Sequence, residues 1–412
     1  MGPGLITGAA DDDPSGIATY AQAGARFGFQ LAWTMLLTYP LMAAIQSISA
    51  RIGRTTGQGI AANIRMQYPS ALLHGSVALL CFANLCNIGA DLGAMAESAR
   101  LLLPMVPNSV LLVLFAAVCA GGQIFLKYAR YASILKWLTL SLFAYFATLC
   151  VVHVTWVEFF KGLLWPRLSS SKDFWLTVVA VLGTTISPYL FFWQASTEAE
   201  DTNADPIRKP LRTRPSQGSD ALTRIRLDTL LGMGISNLVA LAIMATAAAT
   251  FHVKGIGNLD SAAQAAEALR PLAGQFAFAL FALGIIGTGL LSVPVLAGSA
   301  AYALGEARGW PVGLSRAPSQ AKAFYATILT ATLLGALANV LSINPLKALV
   351  WAAALNAIVA APIMAVILRL ATNRKVMGKF KIGRGWLITG WLATGVMAIA
   401  SIAFLLSIFI GG

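Results

Sequence analysis

Three consecutive aspartates, Asp11, Asp12 and Asp13, stand inside an otherwise apolar segment and run directly into Pro14, Ser15 and Gly16. Proline removes a backbone donor and clashes with the preceding turn. It also pushes the residue before it away from helical backbone angles. Residues 13–16 therefore break a helix, which frees the carbonyls around Ala10 and sets a carboxylate beside them. Carbonyl and carboxylate oxygens are hard ligands, suited to a small cation. A second break of the same kind stands at Thr184-Thr185-Ile186-Ser187-Pro188-Tyr189. Asp91, within Asn87-Ile88-Gly89-Ala90-Asp91, is a further acid in apolar surroundings. It reads either as a relay or ion-path carboxylate or as a structural acceptor for a neighbouring helix.

Apolar helices must hold these residues. Of 412 residues, 58% are hydrophobic and only 11% are charged, against roughly 25% charged in soluble domains. So few charges cannot cover the surfaces of the two or three soluble domains expected at this length. The chain reads as an all-α polytopic membrane protein, with lipid as its outer solvent. Apolar runs of about 18 residues or more place about eleven transmembrane helices. They lie near 3–25, 29–51, 71–98, 108–126, 131–154, 173–196, 227–251, 272–304, 323–341, 345–370 and 386–410. Asp11, Asp12, Asp13, Asp91 and Glu97 fall inside them, and an ionisable group in hydrocarbon marks function by default. The breaks at Pro14 and Pro188 fall in helices 1 and 6, the matching members of two five-helix halves. Paired broken helices point to an inverted-repeat transporter with a midplane site. The expected organisation is one transmembrane domain over 1–412. Its repeats lie at about 1–155 and 173–370, with an added helix at about 386–410.

Charge sets the orientation. Twenty of the 29 Lys and Arg lie in loops after even-numbered helices and seven in the other loops, with Lys136 and Lys347 inside helices. Basic loops stay cytoplasmic, so the N-terminus is expected inside and the C-terminus outside the plasma (inner) membrane. The same rule accounts for the net charge of +13 without nucleic acid as a partner. The polar stretch 199–226 reads as a flexible cytoplasmic linker. No P-loop, nucleophile elbow or HExxH is present, so no enzyme chemistry is expected. Cys81, Cys86, Cys119 and Cys150 lack redox or zinc spacing and read as packing residues.

The stretch from Gly2-Pro3-Gly4-Leu5-Ile6 through Asp13-Pro14-Ser15-Gly16-Ile17-Ala18-Thr19 to Gln22-Ala23-Gly24-Ala25 resembles the first helix of the Nramp divalent-metal transporters. Gln46-Ser47, Arg51-Ile52-Gly53 and Thr56-Gly57 continue the likeness in helix 2. Asp91 falls where that family has its helix-3 aspartate. The run from Gly183 to Tyr189 resembles its broken sixth helix, and Arg374-Lys375-Val376-Met377-Gly378 resembles the loop after its tenth. The likeness covers essentially the whole chain. It implies a LeuT-like fold of five plus five helices with helices 1 and 6 broken. It also implies secondary transport of divalent metal ions, with the metal as cargo and no cofactor, and with the ion and membrane lipid as partners. Carried over residue by residue, Asp13 is the metal-binding carboxylate. The backbone carbonyls of Ala10 and Thr184 are candidate ligands, and Asn356 stands near the family's polar residue in helix 10.

The departures from the family carry as much chemistry. Its helix-1 motif is Asp-Pro-Gly-Asn, and the Asn position here is Gly16. Its helix-6 motif is Met-Pro-His, which here reads Ser187-Pro188-Tyr189. An amide and a thioether ligand are therefore missing, and the thioether is the soft ligand that favours transition metals. Ser187 offers a hard hydroxyl or merely space instead, and Asp11 and Asp12 add charge where metal-transporting members typically have none. Such a site suits Mg²⁺, which keeps much of its water and binds through few carboxylates. The pattern resembles the Nramp-related magnesium transporter branch, so the expectation is import of divalent cations, Mg²⁺ first and Mn²⁺ second. Proton-coupled Mn²⁺/Fe²⁺ transport is one alternative, although Tyr189 and Ala94 replace the histidine and the acid that carry protons in the family. A sodium-coupled organic-solute transporter of the same fold is the other.

Overall fold

Prolines set where the decisive helices begin. In the computed structural model, Pro14, Pro188 and Pro345 each occupy the first turn of a helix, where the missing N–H costs nothing. The structure describes residues 2–126, 140–339 and 344–410, with side chains described as far as residue 406. Among the described residues there are helices and no strands. Helices of eight residues or more are numbered in chain order. The first broken helix consists of α1 (Pro3–Asp11) and α2 (Pro14–Phe27). A bend of 107° then leads into α3 (Trp33–Thr56). There follow α4 (Ile60–Gln67), α5 (Ser70–Arg100), α6 (Asn108–Phe125), α7 (Ala144–Val151) and α8 (Trp156–Leu164). The second broken helix consists of α9 (Lys172–Thr185) and α10 (Pro188–Ala204). The chain closes with α11 (Gly218–Thr250), α12 (Ala277–Arg308), α13 (Lys322–Ala338), α14 (Pro345–Thr372) and α15 (Arg384–Ile410).

Every expected span meets helix in its described part. Among the described residues, seven segments are long and apolar enough to cross a membrane, and the bent α2–α3 pair makes an eighth. The remaining spans fall short for visible reasons. Helix 1 is divided into pieces of nine and 14 residues, and α13 has 17. The fifth expected span is described only from residue 140; its residues 131–139, with Lys127, Arg130 and Lys136, lie outside the described residues.

The stretch 199–226 is not the open linker its composition suggested. α10 runs on to Ala204 and α11 begins at Gly218, so only 205–217 lies between them. That connection is strapped to the end of α3. Arg54 donates to the Lys209 carbonyl and to Gln217 Oε1, and the Leu211 N–H donates back to the Arg54 carbonyl. The N–H groups of Ile207 and Arg208 reach the Asp205 carboxylate, and with the Arg208 guanidinium they hold it below the usual carboxylate range.

The broken helices lie at the centre. In the α9–α10 segment 89% of the most apolar window is buried, against 33% in α6, which faces outward. Such burial needs close backbone approach, which in membranes falls to small residues. Gly183 of α9 lies against the Ala353 carbonyl of α14, and Gly8 of α1 lies against Gly232 of α11. At each position an added Cβ would overlap the facing backbone. Gly75 of α5, by contrast, has nothing within 4 Å of where its Cβ would stand.

Gly183→Ala is therefore expected to destabilise the protein by about 1–3 kcal/mol, the usual cost of overpacking. Gly75→Ala should be neutral or slightly stabilising, because alanine favours helix. Melting of both variants in detergent, followed by size exclusion, checks this. Equal melting points for the two variants would show that the α9–α14 contact is not tight.

Candidate metal site

Breaking two helices leaves four stranded ends: the carbonyl ends of α1 and α9 and the N–H ends of α2 and α10. Side chains of the breaks themselves pair most of them. Asp13 caps α2, with its Oδ1 accepting the Gly16 N–H at 2.7 Å and the Ser15 hydroxyl at 2.6 Å. The Ser15 hydrogen is thereby committed, so in the 3.3 Å contact between Ser15 and Thr184 the Thr184 hydroxyl is the donor. Ser187 starts α10, yet its hydroxyl turns back to α9 and donates to the carbonyls of Gly183 and Thr184 at 2.8 and 3.0 Å. Tyr189 completes the junction by donating its hydroxyl to the Ala10 carbonyl at 3.0 Å. Ala10, Asp13, Ser15, Thr184, Ser187 and Tyr189 are each at most 1% exposed.

The residues expected at the site thus meet, but not as bare ligands. The carbonyls of Ala10 and Thr184 each already accept a hydroxyl. A carbonyl oxygen keeps a second lone pair, so neither is excluded as an ion ligand. Gly16 forms a wall beside them: an added Cβ would lie 3.2 Å from both Thr184 Oγ1 and the Tyr20 ring. The Tyr20 hydroxyl itself is buried with no hydrogen-bond partner among the described residues.

Asp11 and Asp12 turn to α11. There the Ser236 hydroxyl contacts Asp11 Oδ2 at 2.8 Å and Asp12 Oδ1 at 3.0 Å. One hydroxyl hydrogen serves two carboxylates, and Asp11 Oδ1 has no partner among the described residues. Asp91 sits on α5, fully buried, with Oδ2 accepting from Ser292 of α12 at 2.9 Å and Oδ1 without a described partner. It is therefore a structural acceptor that also keeps an open oxygen. Asn356 of α14 does not hydrogen-bond to the breaks; it exchanges amide hydrogen bonds of 2.8 and 3.2 Å with Asn87 of α5.

Sequence reasoning passed over Ser236, Tyr20, Ser292 and Asn87. Ser15 was legible as part of the first break, but its bridging role was not. Lone polar residues in apolar helices give no signal of their partners, because every partner lies on a distant segment. Chemically the junction offers the carbonyl oxygens at the negative ends of α1 and α9, together with hydroxyls and the Asp13 carboxylate at the N–H end of α2, oxygen donors suited to a cation. Among the described residues no three His, Cys, Asp or Glu side chains gather into the cage of a resident metal.

Comparisons with known proteins bear on the family and the fold. The profile of the family described as "Natural resistance-associated macrophage protein-like" matches residues 4–407. A divalent metal cation transporter MntH of Yersinia enterocolitica is 30% identical over 309 residues, which cover 72% of this chain and 69% of that protein. The MntH of Aeromonas hydrophila is 28% identical over 334 residues, covering 79% and 78%. Among solved structures, an Eremococcus coleocola manganese transporter superposes with a TM-score of 0.77 at 17% identity, over 99% of this chain and 85% of that one. Mhp1, a nucleobase-cation-symport-1 family transporter, gives 0.60 at 16% identity, over 98% and 91%. These two likenesses identify the fold as LeuT-like, five plus five helices with helices 1 and 6 broken.

Asp13 carries both a cap and a charge, and two substitutions separate them. Asp13→Asn keeps an acceptor for Gly16 and Ser15, so its melting point should stay near wild type, since Asn and Asp cap comparably. Its uptake of divalent cations should fall at least about tenfold, equivalent to 1.4 kcal/mol. Asp13→Ala should lose uptake and also about 0.5–2 kcal/mol of stability. Proteoliposome uptake and thermal melting measure the two effects; near-normal uptake by Asp13→Asn would remove Asp13 from the site.

Proposed function

The chain belongs to the Nramp family of divalent metal cation transporters, and from that premise we propose that it imports Mg²⁺ by secondary transport across the plasma membrane, with Mn²⁺ as second substrate. The observation that carries this reading is the hydroxyl lining of the two breaks. Tyr189 covers the Ala10 carbonyl, Ser187 covers those of Gly183 and Thr184, and Ser15 covers Asp13. An ion arriving there meets one capping carboxylate and a ring of hydroxyls, with no sulfur or imidazole among the groups that join the breaks. Hydroxyls and capped carbonyls pair readily with the waters of a hydrated ion. Mg²⁺ retains such waters and takes one or two carboxylates, whereas a dehydrated Mn²⁺ or Fe²⁺ gains more from a soft or uncapped ligand.

In this reading Asp13 is the metal-binding carboxylate, and Ala10, Thr184 and Ser187 supply oxygen around it. Asp11 and Asp12 lie on the pathway, held by Ser236. The two repeats are assigned to about 1–155 and 173–370, with the last helix added. The distribution of Lys and Arg among the loops supports a cytoplasmic N-terminus and an outside C-terminus. Tyr189 cannot shuttle protons at neutral pH, since a phenol has a reference pKa near 10. The membrane potential then drives uptake, at about 2.3 kcal/mol per charge per 100 mV.

A second reading, proton-coupled Mn²⁺ transport, has one specific support. Asp91 is a fully buried acid with an open oxygen on the helix next to the site, as a proton relay requires. A pH dye inside proteoliposomes separates the two readings. Metal uptake without acidification fits the first; acidification in proportion to metal, lost in Asp91→Asn, fits the second.

Two substitutions test selectivity. Ser187→Met introduces a thioether and uncovers the Thr184 carbonyl, and should shift relative uptake from Mg²⁺ toward Cd²⁺ or Mn²⁺ by about tenfold, or 1.4 kcal/mol. Tyr189→Phe keeps the buried ring and frees the Ala10 carbonyl, and should shift the ranking in the same direction. It should cost about 1 kcal/mol of stability for the lost hydrogen bond. Competition assays on folded variants decide this: an unchanged metal ranking in both would mean that neither hydroxyl faces the ion.

A further inference from the structure

Away from the breaks, a cavity of about 210 Å³ opens between the end of α3, the start of α11 and the start of α15. Its polar lining comes from Ser47, Arg51, Thr223, Arg226 and Trp386, and no acid contributes to it. Two guanidiniums therefore border one space without a counter-charge. Arg51 is held in place, its Nε and Nη2 donating to the carbonyls of Phe380 and Lys381 at 2.9 and 3.0 Å. Those carbonyls carry only partial charge and leave the cation uncompensated. Arg226 is exposed and forms no ion pair among the described residues. Ser47 is 7% exposed, and its buried hydroxyl has no hydrogen-bond partner among the described residues.

Positive, rich in donors and lacking an acid, this lining matches a multi-oxygen anion. Guanidiniums in particular match phosphate geometry. Ile48, Leu222 and Ile382 give the cavity an apolar floor. Trp386 stands in the first turn of the last helix, the level at which Trp marks a membrane–water interface. Lys379, Lys381 and Arg384 lie within seven residues of Trp386 in the sequence and add positive charge to this stretch. Basic pockets between transmembrane helices at the cytoplasmic face hold lipid head groups. We infer that this cavity binds the phosphodiester head group of an anionic membrane phospholipid. The shared chemistry is a phosphate; the apolar floor and the interfacial Trp386 select a lipid over a free phosphate as its source. The inference does not depend on which metal the protein carries.

The test uses the full chain in neutral detergent, with retention of added lipid read by native mass spectrometry. The probes are short-chain phosphatidylglycerol, phosphatidylcholine and glycerol 3-phosphate. Phosphatidylglycerol should bind in preference to phosphatidylcholine. Arg226→Gln should weaken it about fivefold, the effect of one basic residue against an anionic head group. Arg212→Gln, in the same basic region but outside the cavity, should bind as wild type. Equal retention of the two lipids overturns the proposal, as does unchanged binding by Arg226→Gln. An equal loss in Arg212→Gln also overturns it, by showing diffuse attraction in place of a site. Displacement of the lipid by equimolar glycerol 3-phosphate overturns the lipid assignment in favour of a soluble phosphate.

Discussion

A helix broken inside a membrane strands backbone groups where lipid offers no partner, and the rest of this structure depends on how those groups are paired. Tyr189 on the Ala10 carbonyl is the central pairing because it ties one broken helix to the other. Ser187 and Asp13 then close their own breaks locally. The same bonds that make the breaks tolerable also decide what the site presents to an ion. In the proposed site, hydroxyls and one carboxylate would face the ion, with the carbonyls behind them. Stability and the proposed selectivity then rest on the same few hydrogen bonds, which is why substitutions at Ser187 and Tyr189 must be read with a stability control.

This arrangement holds only if the half-helices cannot drift. Gly8 on Gly232 and Gly183 on Ala353 bring α1 onto α11 and α9 onto α14 at backbone distance. α11 thus supports the first break twice, by this contact and through Ser236 beneath Asp11 and Asp12. α5 stands behind both breaks with a polar ladder of its own. Asn87 pairs with Asn356, and one turn later Asp91 pairs with Ser292. The ladder joins α5 to α14 and α12 and gives buried polar groups partners that each could find nowhere else.

Much of this was legible in the sequence, and the limits follow from distance along the chain. Pro14 and Pro188 marked both breaks because proline acts on its own neighbours. Apolar run length found the helices for the same reason. Asp13 was legible as a carboxylate at the first break; that it caps α2 was not read from the sequence, although its partners are only two and three residues away. The Tyr189–Ala10 bond spans 179 positions and the Ser236–Asp11 bond 225, and no local rule relates residues so far apart. Asn356 was placed by resemblance at the site, but its amide is taken by Asn87, which a register reading could not foresee. The 199–226 stretch was misread for a related reason. Its composition is that of a loop, whereas its order comes from Arg54 on another helix.

The two ends of the first broken helix are closed by contacts of different kinds. At the start of α1, the Asp228 carboxylate accepts the N–H groups of Gly2 and Gly4, at 3.3 and 2.7 Å. Beside it Arg224 pairs with Glu198 at 2.6 Å, and the Glu198 side chain is only 1% exposed. At the far end of α2, Gln22 exchanges hydrogen bonds with the backbone of Gly257 and Leu259. Arg26 pairs there with Asp173, with side-chain exposures of 31% and 53%. Exposed ion pairs contribute about 0–1 kcal/mol; the Arg224 side chain is 31% exposed but Glu198 is buried, so separating that pair strands a buried carboxylate and costs more. Opening at α1 must uncover Glu198 and free the first N–H groups of a helix, while opening at α2 releases an amide clamp and a solvated pair. A cavity of about 270 Å³ already lies beside that clamp, reaching from Gln22 to Ala18, five residues beyond Asp13. The end of α2 is thus closed by an amide clamp and a solvated ion pair, and the start of α1 by backbone N–H groups on Asp228 beside the more buried Glu198–Arg224 pair.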